Sequence, residues 1–290
     1  MSQKLAVVVT GATGQQGGAV VKSLLERGHE VRAVTRRTDS AKARQLANAG
    51  VTLVRASLED TAALTKALEG ATSLFAMTTP FEGGTQAETR QGISAADAAK
   101  AAGVHLLFTS VGSANRQTRI PHFDSKYKVE EHIARIGVRA TVLGPVYFME
   151  NLYFGKEQLA KGSYATPLPP GRQLAQVAVA DIGAVAVRVL EDPGRFAGKR
   201  FDLGSDELTG NDVRDILSRV TNRPFTYFQV PLEVIRQRMG ENLAKMYEWF
   251  DRVGFTVDRA ALRREFPDVA FHDFESWVKA QDWNTLLQGG

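Results

Sequence analysis

Two sets of residues carry chemistry by their type and spacing. His122 and Lys126 stand four apart in Pro121-His122-Phe123-Asp124-Ser125-Lys126, and residues four apart on a helix share one face. A neutral imidazole that could donate a proton near pH 7 and an ammonium on one face could serve a common reacting centre. The second set is Gly11, Gly14 and Gly17, a G-x-x-G-x-x-G pattern. Missing side chains at this spacing permit a tight turn, let a pyrophosphate approach bare backbone, and let a helix pack close to a strand. Amides at the helix start would bind the anion. An ordinary tight βα turn is the alternative reading of the same glycines.

The elements around these residues follow from their patterns. Leu5-Ala6-Val7-Val8-Val9 is an apolar run without alternation, as expected for a parallel strand covered on both faces. Val20, Val21, Leu24 and Leu25 then recur at helical spacing, and Gly28 stops that helix. Further strands are expected over 30–35, 51–54, 73–77, 105–109 and 140–143, with helices over 40–48, 61–68 (Asp60 as N-cap), 85–102 and 123–136, and a loop over 78–84. This alternation predicts an α/β fold, a Rossmann-type doubly wound parallel sheet with right-handed crossovers. After Pro145 regularity falls. A strand at 177–179, a helix capped by Asp181 through Leu190, strands at 200–203 and 224–229, and helices near 211–220, 232–252 and 274–280 predict a smaller α+β lobe over the sheet's carboxyl edge. The expected domains are 1–150, completed by elements within 175–205, and a substrate or partner lobe over 151–290.

Composition narrows the classes. At 290 residues, 43% hydrophobic, the chain can bury a large core. It has no cysteine, which rules out disulfides, a thiolate nucleophile and thiolate metal sites. The five histidines show no metal spacing, so no metal is expected. A net charge of +4 is dispersed apart from Arg36-Arg37 and Arg263-Arg264, so nucleic-acid binding is not expected. The first strand starts about four residues in, and there is no apolar run of about 18 residues. A soluble, cytoplasmic protein without a membrane segment is expected.

The end of the second strand selects the nucleotide. An acid there would hydrogen-bond the 2'-hydroxyl of NAD. This chain has Thr35-Arg36-Arg37-Thr38 instead. A guanidinium pairs bidentately with a 2'-phosphate, which a carboxylate would repel. The cofactor implied is NADP, with Arg36 the first choice and Arg37 the second. Two solvated arginines at a strand exit are the alternative.

Reductases of this architecture commonly use Tyr-x-x-x-Lys, yet none of the six tyrosines is followed by lysine four residues on. His-x-x-x-Lys falls in its place. Together Gly-Ala-Thr-Gly-Gln-Gln-Gly, Val34-Thr35-Arg36, His122 to Glu131, and Pro145-Val146-Tyr147-Phe148-Met149-Glu150-Asn151-Leu152 resemble the NmrA-like family, atypical short-chain dehydrogenase/reductase relatives. Val179-Ala180-Asp181-Ile182-Gly183 and the helix around Trp277 extend the likeness over most of the chain. The resemblance implies NADP(H) held by the glycine loop (Gly11, Thr13, Gly14, Gln15, Gln16, Gly17), by Arg36 and by Lys126. It also implies that Thr78, Thr79, Pro80, Tyr147 and Phe148 lie near the nicotinamide. Several members are redox-sensing regulators that bind the dinucleotide without turning it over. Isoflavone-reductase-like and quinone-reductase-like relatives transfer hydride, and in the former a lysine matching Lys126 is catalytic.

Several residues keep two readings. Lys126 is a cofactor or catalytic group, or a solvated helix lysine. His122 is a proton donor or a helix cap. Ser110 and Ser113 bind substrate or form a turn, while Met246, Tyr247, Phe250 and Val253 line a pocket or the core. Two functions are open accordingly. One is an NADP(H)-binding redox sensor with a protein partner. The other is an NADPH-dependent reductase of quinones, enones or similar apolar carbonyl compounds. A monomer or homodimer fits either.

Overall fold

Strands and helices alternate through the first half of the computed structural model, which describes residues 4–283 and Leu286. The ends of the two expected domains, 1–3, 284–285 and 287–290, lie outside the described residues. The chain divides into two units, Met1–Gly144 with Ile182–Asp202 and Pro145–Asp181 with Leu203–Gly290.

The first unit runs β1 (Ala6–Thr10), α1 (Gln15–Glu26), β2 (Glu30–Thr35), α2 (Ala41–Asn48), β3 (Thr52–Arg55), α3 (Thr61–Ala67), β4 (Ser73–Met77), α4 (Pro80–Ala102), β5 (His105–Thr109), α5 (Pro121–Ile136) and β6 (Ala140–Pro145). After β7 (Tyr147–Phe148), α6 (Lys156–Ala160), β8 (Ser163–Thr166) and β9 (Leu174–Val177), helix α7 (Val179–Glu191) returns the chain to it, followed by α8 (Pro193–Phe196) and β10 (Arg200–Leu203). The sheet order is β10-β6-β5-β4-β1-β2-β3. Strands β3 to β6 pair parallel in that order. The expected doubly wound sheet is therefore present, with the order reversing between β1 and β4.

Burial explains the unalternating strands: Val7, Val8 and Val9 have no solvent exposure because helices cover both faces. One cluster joins Val8, Leu74, Leu106 and Phe108 to Ala95, Ala96 and Ala99 of α4 and Val129 of α5. Small residues bring these helices close, and a Cβ at Gly92 would press into the Val129 side chain. Local caps follow the sequence, since Ser40 Oγ accepts from Ala43 N–H (3.2 Å) and Asp60 from Ala63 N–H (2.9 Å).

One expectation in this unit is corrected. The predicted loop over 78–84 is shorter, because Pro80 occupies the first turn of α4 and Thr79 Oγ1 accepts from Phe81 N–H (3.3 Å). Gly84, at φ 77° and ψ 177°, then breaks that turn from the rest of α4.

The second unit adds β11 (Asp206–Leu208), α9 (Gly210–Thr221), β12 (Thr226–Gln229), α10 (Leu232–Met239), α11 (Glu241–Arg252), α12 (Arg259–Glu265) and α13 (Phe274–Lys279). Strand β9 pairs parallel with β7 and antiparallel with β11, and β12 pairs parallel with β8. Its core gathers Met149, Leu152, Leu217, Phe225, Phe274 and Trp277.

Three expectations change here. The strand predicted at 177–179 ends at Val177, and Val179 already opens α7. Asp181 is no cap: it sits in the first turn of α7, and its carboxylate accepts from His272 N–H (3.0 Å) and faces His272 Nδ1 (2.5 Å). The helix predicted over 232–252 is two helices, because Gly240 takes φ 89° between them.

Candidate functional site

The turn after β1 shows why each glycine is there. Gly11 adopts φ 64°, and a Cβ on it would also strike the Met77 side chain. Gly14 is the N-cap of α1, its N–H donating to Gly11 O (2.9 Å). A Cβ at Gly17 would overlap the backbone of Gly11 and Ala12, so this glycine lets the helix meet the turn. The first intrahelical bond in this stretch runs from Gly18 N–H to Gly14 O (3.0 Å), which leaves the N–H groups of Gln15, Gln16 and Gly17 ahead of the ladder. Gly14 and Gln15 are exposed, Thr13 is half-buried, and the first turn holds no acidic residue. That is an open, positive helix end.

Side chains fix this turn to neighbouring strand ends. Thr10 Oγ1 accepts from Met77 N–H (2.8 Å) and donates to Met77 O (3.0 Å). Thr109 Oγ1 donates to Gln16 Oε1 (2.8 Å). The side chain of Gln16 is thus spent on the end of β5, and its backbone remains for a ligand.

Arg36 and Arg37 follow β2, both exposed. Arg36 Nη2 lies 2.5 Å from Glu82 Oε2 in the first turn of α4. Arg37 N–H donates to Thr35 Oγ1 (3.3 Å).

Lys126 is not a solvated lysine. Its ammonium, on α5, lies 2.9 Å from Glu88 Oε1 and donates to Thr78 O (3.1 Å) and Thr78 Oγ1 (3.4 Å) at the exit of β4. Glu88 has no solvent exposure and also accepts from Ser125 Oγ (2.5 Å) and Thr78 Oγ1 (3.5 Å). Thr78 and Lys126 are therefore brought together, with Thr79 and Pro80 continuing from Thr78 into α4. His122 stands in the first turn of α5, edge-on to Phe123 (4.9 Å), while the N-cap is Ile120. The cap reading of His122 is corrected by that position.

Glu88 was not singled out from the sequence. The signal was available: Glu88 precedes Gly92, Ala95 and Ala99 at helical spacing, and a lone acid on a stripe of small residues is a buried acid needing a cation.

Ser110 stands at the exit of β5 and Ser113 in the turn that follows, where its hydroxyl is buried with no hydrogen-bond partner among the described residues. Ser110 Oγ donates to Glu130, which pairs with Arg200 Nε (2.9 Å); Arg200 also pairs with Asp202 and donates to Val111 O (2.8 Å). Asp202 Oδ2 accepts from Ser113 N–H (3.0 Å), holding Ser113 at φ 60°.

Tyr147 and Phe148 belong to the second unit. Tyr147 meets Phe250 edge-on (6.2 Å) and lines, with Tyr164, Tyr247 and Arg172, a cavity of about 10 Å³, room for one water. Burial first, then the neighbouring Tyr247 and Tyr164, push the Tyr147 phenol well above its usual pKa, so it stays neutral. The stripe on α11 divides, with Phe250 buried and Val253 exposed. No group of three or more metal-binding side chains occurs among the described residues.

The model of the NmrA-like family matches residues 3–277, nearly the whole chain. The chain belongs to the NmrA-like family. Among its relatives, the NAD(P)H azoreductase of Xenophilus azovorans is 31% identical over 239 residues, covering 80% of each chain. The nitrogen metabolite repression protein nmrA of Emericella nidulans is 29% identical over 246 residues, 79% of this chain and 69% of that one. Among solved structures, the NADPH-dependent quinone oxidoreductase QOR2 of Escherichia coli, complexed with NADPH, superposes with a TM-score of 0.79 at 26% identity, covering 94% of this chain and 98% of that one. NmrA-like relatives thus include both reductases and a repression protein.

Proposed function

We propose that this NmrA-like chain binds NADP(H) and acts as a redox-responsive dinucleotide binder. The observation that carries the proposal is the Gly11–Gly17 turn: free first-turn amides above a helix packed so close that Gly17 admits no side chain. The fit to a dinucleotide is chemical at each point. The exposed Gly14–Gln15 backbone suits the pyrophosphate, and Arg36 suits a 2'-phosphate, with Arg37 beside it. Lys126, held at Thr78, suits a ribose hydroxyl. The NADPH complex of QOR2 and the NAD(P)H azoreductase support this choice of cofactor.

The regulatory reading follows from the missing Tyr-x-x-x-Lys dyad and from Lys126 being engaged by a buried carboxylate. Sensing requires the chain, or its complex with a partner, to bind the oxidised and reduced nucleotides unequally. The second unit, Pro145–Asp181 with Leu203–Gly290, is assigned to that partner or to a substrate. No helix among the described residues is long and apolar enough to cross a membrane, and cytoplasmic placement is part of the proposal.

A reductase of quinones, enones or similar carbonyl compounds is the second reading. It is favoured by the fixed Lys126 ammonium and by the activities named for the azoreductase and QOR2. NADPH supplies the hydride when bound; Lys126 would orient it, and His122 would hold a proton for the product. Stopped-flow NADPH oxidation with a quinone panel, on the wild type and Lys126→Met, separates the readings. Tight binding without turnover supports the sensor. Turnover lost in the variant supports the reductase.

A further inference from the structure

We infer that Glu82 sets how strongly this chain prefers a 2'-phosphorylated dinucleotide, by competing with the phosphate for Arg36. The inference rests on the assignment of Arg36 to the adenosine ribose. Arg36 Nη2 and Glu82 Oε2 are 2.5 Å apart, and the side chains are 67% and 58% exposed. The two residues are 46 apart in sequence, on the exit of β2 and in the first turn of α4. Their meeting is thus a product of the sheet topology and not of one helix. A guanidinium fork binds a carboxylate or a phosphate through the same N–H groups. Here the carboxylate holds one arm of it, Nη2.

The segment bearing Glu82 is built to leave. Thr79 caps it, Pro80 opens it, and Gly84 at φ 77° and ψ 177° separates it from the part of α4 that buries Ala87 and Glu88. Nothing lies within 4 Å of where a Cβ on Gly84 would stand, so this hinge has space to turn. Thr78, on the other side, is fastened by Lys126. Gly83 lies close against the Ala87 side chain, so the Pro80–Gly83 turn moves by turning about Gly84 and giving up that contact.

Competition follows from charge. A 2'-phosphate carries more negative charge than a carboxylate and displaces Glu82 from Arg36, at a cost equal to the pair that is broken. A ribose with a free 2'-hydroxyl has no such contest, and Glu82 can accept its hydrogen bond. Glu82 thus weakens NADPH and spares NADH. Displacement also frees the turn that carries Phe81, whose exposure is 77%.

Calorimetric titration of NADPH and NADH into the wild type, Glu82→Gln, Arg36→Ala and the double variant tests this. Both residues are on the surface, so the variants fold. Glu82→Gln is expected to tighten NADPH about threefold and to leave NADH unchanged or weaker. That gain should shrink in the Arg36→Ala background. Unchanged NADPH affinity in Glu82→Gln, or a gain undiminished without Arg36, overturns the competition. A ratio of NADPH to NADH affinity that does not fall in Arg36→Ala overturns the assignment of Arg36 itself, a separate failure.

Discussion

The ammonium of Lys126 lies 2.9 Å from the carboxylate of Glu88, which has no solvent exposure, so α4 and α5 share an ion pair at the exit of β4. The pair fixes the backbone of Thr78 as well, through the Lys126 bond to its carbonyl. Its position makes Lys126 both a structural residue and a candidate for the nucleotide.

Removing only the lysine leaves a buried carboxylate without its cation. Lys126→Met is expected to destabilise the fold by about 3 kcal/mol in urea denaturation. Adding Glu88→Leu should restore most of that loss, because the unpaired charge goes with it. Strictly additive losses would show that the two side chains are independent.

His105, at the start of β5, makes stability depend on pH. The Thr141 hydroxyl donates to Phe196 O (2.8 Å), so His105 Nε2 must donate to Thr141 Oγ1 (3.2 Å), and Nδ1 is left buried without a partner among the described residues. Burial first, then Arg139, lower the imidazole from 6.5 to about 4. Above 6.5 both folded and unfolded chains hold it neutral, and nothing is lost. Below that, the unfolded chain takes up a proton that the folded one refuses, so stability falls until about 4 and then levels. The loss is on the order of 3 kcal/mol. The stability of wild type relative to His105→Gln in denaturation should fall by that amount from pH 7 to 4. A constant difference would refute it.

The two glycines of the α1 turn should fail differently. Gly17→Ala forces a Cβ into the Gly11 carbonyl and is expected to cost about 2 kcal/mol of stability. Gly14 sits at φ −97° with only Gly11 O near, at 3.3 Å, so Gly14→Ala should cost under about 1 kcal/mol. Gly14 is nevertheless exposed at the turn proposed to take the pyrophosphate, where a methyl group would crowd the anion. NADPH affinity should therefore drop about tenfold in Gly14→Ala with the melting transition nearly unmoved. Parallel losses in stability and affinity would contradict the separate roles.

Much of the first unit was legible because its signals are local. Val7 to Val9, the three glycines, Asp60 and Gly28 state strand, turn, cap and stop within a few residues of themselves. Arg36 was legible as a strand exit, but its pairing with Glu82 was not, since that depends on β2 and α4 meeting across the sheet. Glu88 was missed for a related reason: whether a helical glutamate is solvated is decided by the helix packed against it. In the second unit, β7, β9 and β11 are two to four residues long, too short for alternation to show. Gly240 did carry a local signal, and the apolar spacing on either side of it concealed the break.

The central claim is that the amides at the start of α1, with Arg36, hold a 2'-phosphorylated dinucleotide. Calorimetric titration of NADPH and NADH into wild type and Arg36→Ala tests it most directly. Wild type should bind NADPH more tightly than NADH, and the variant should lose that preference while still binding NADH. No heat from either nucleotide at millimolar concentration would contradict the account.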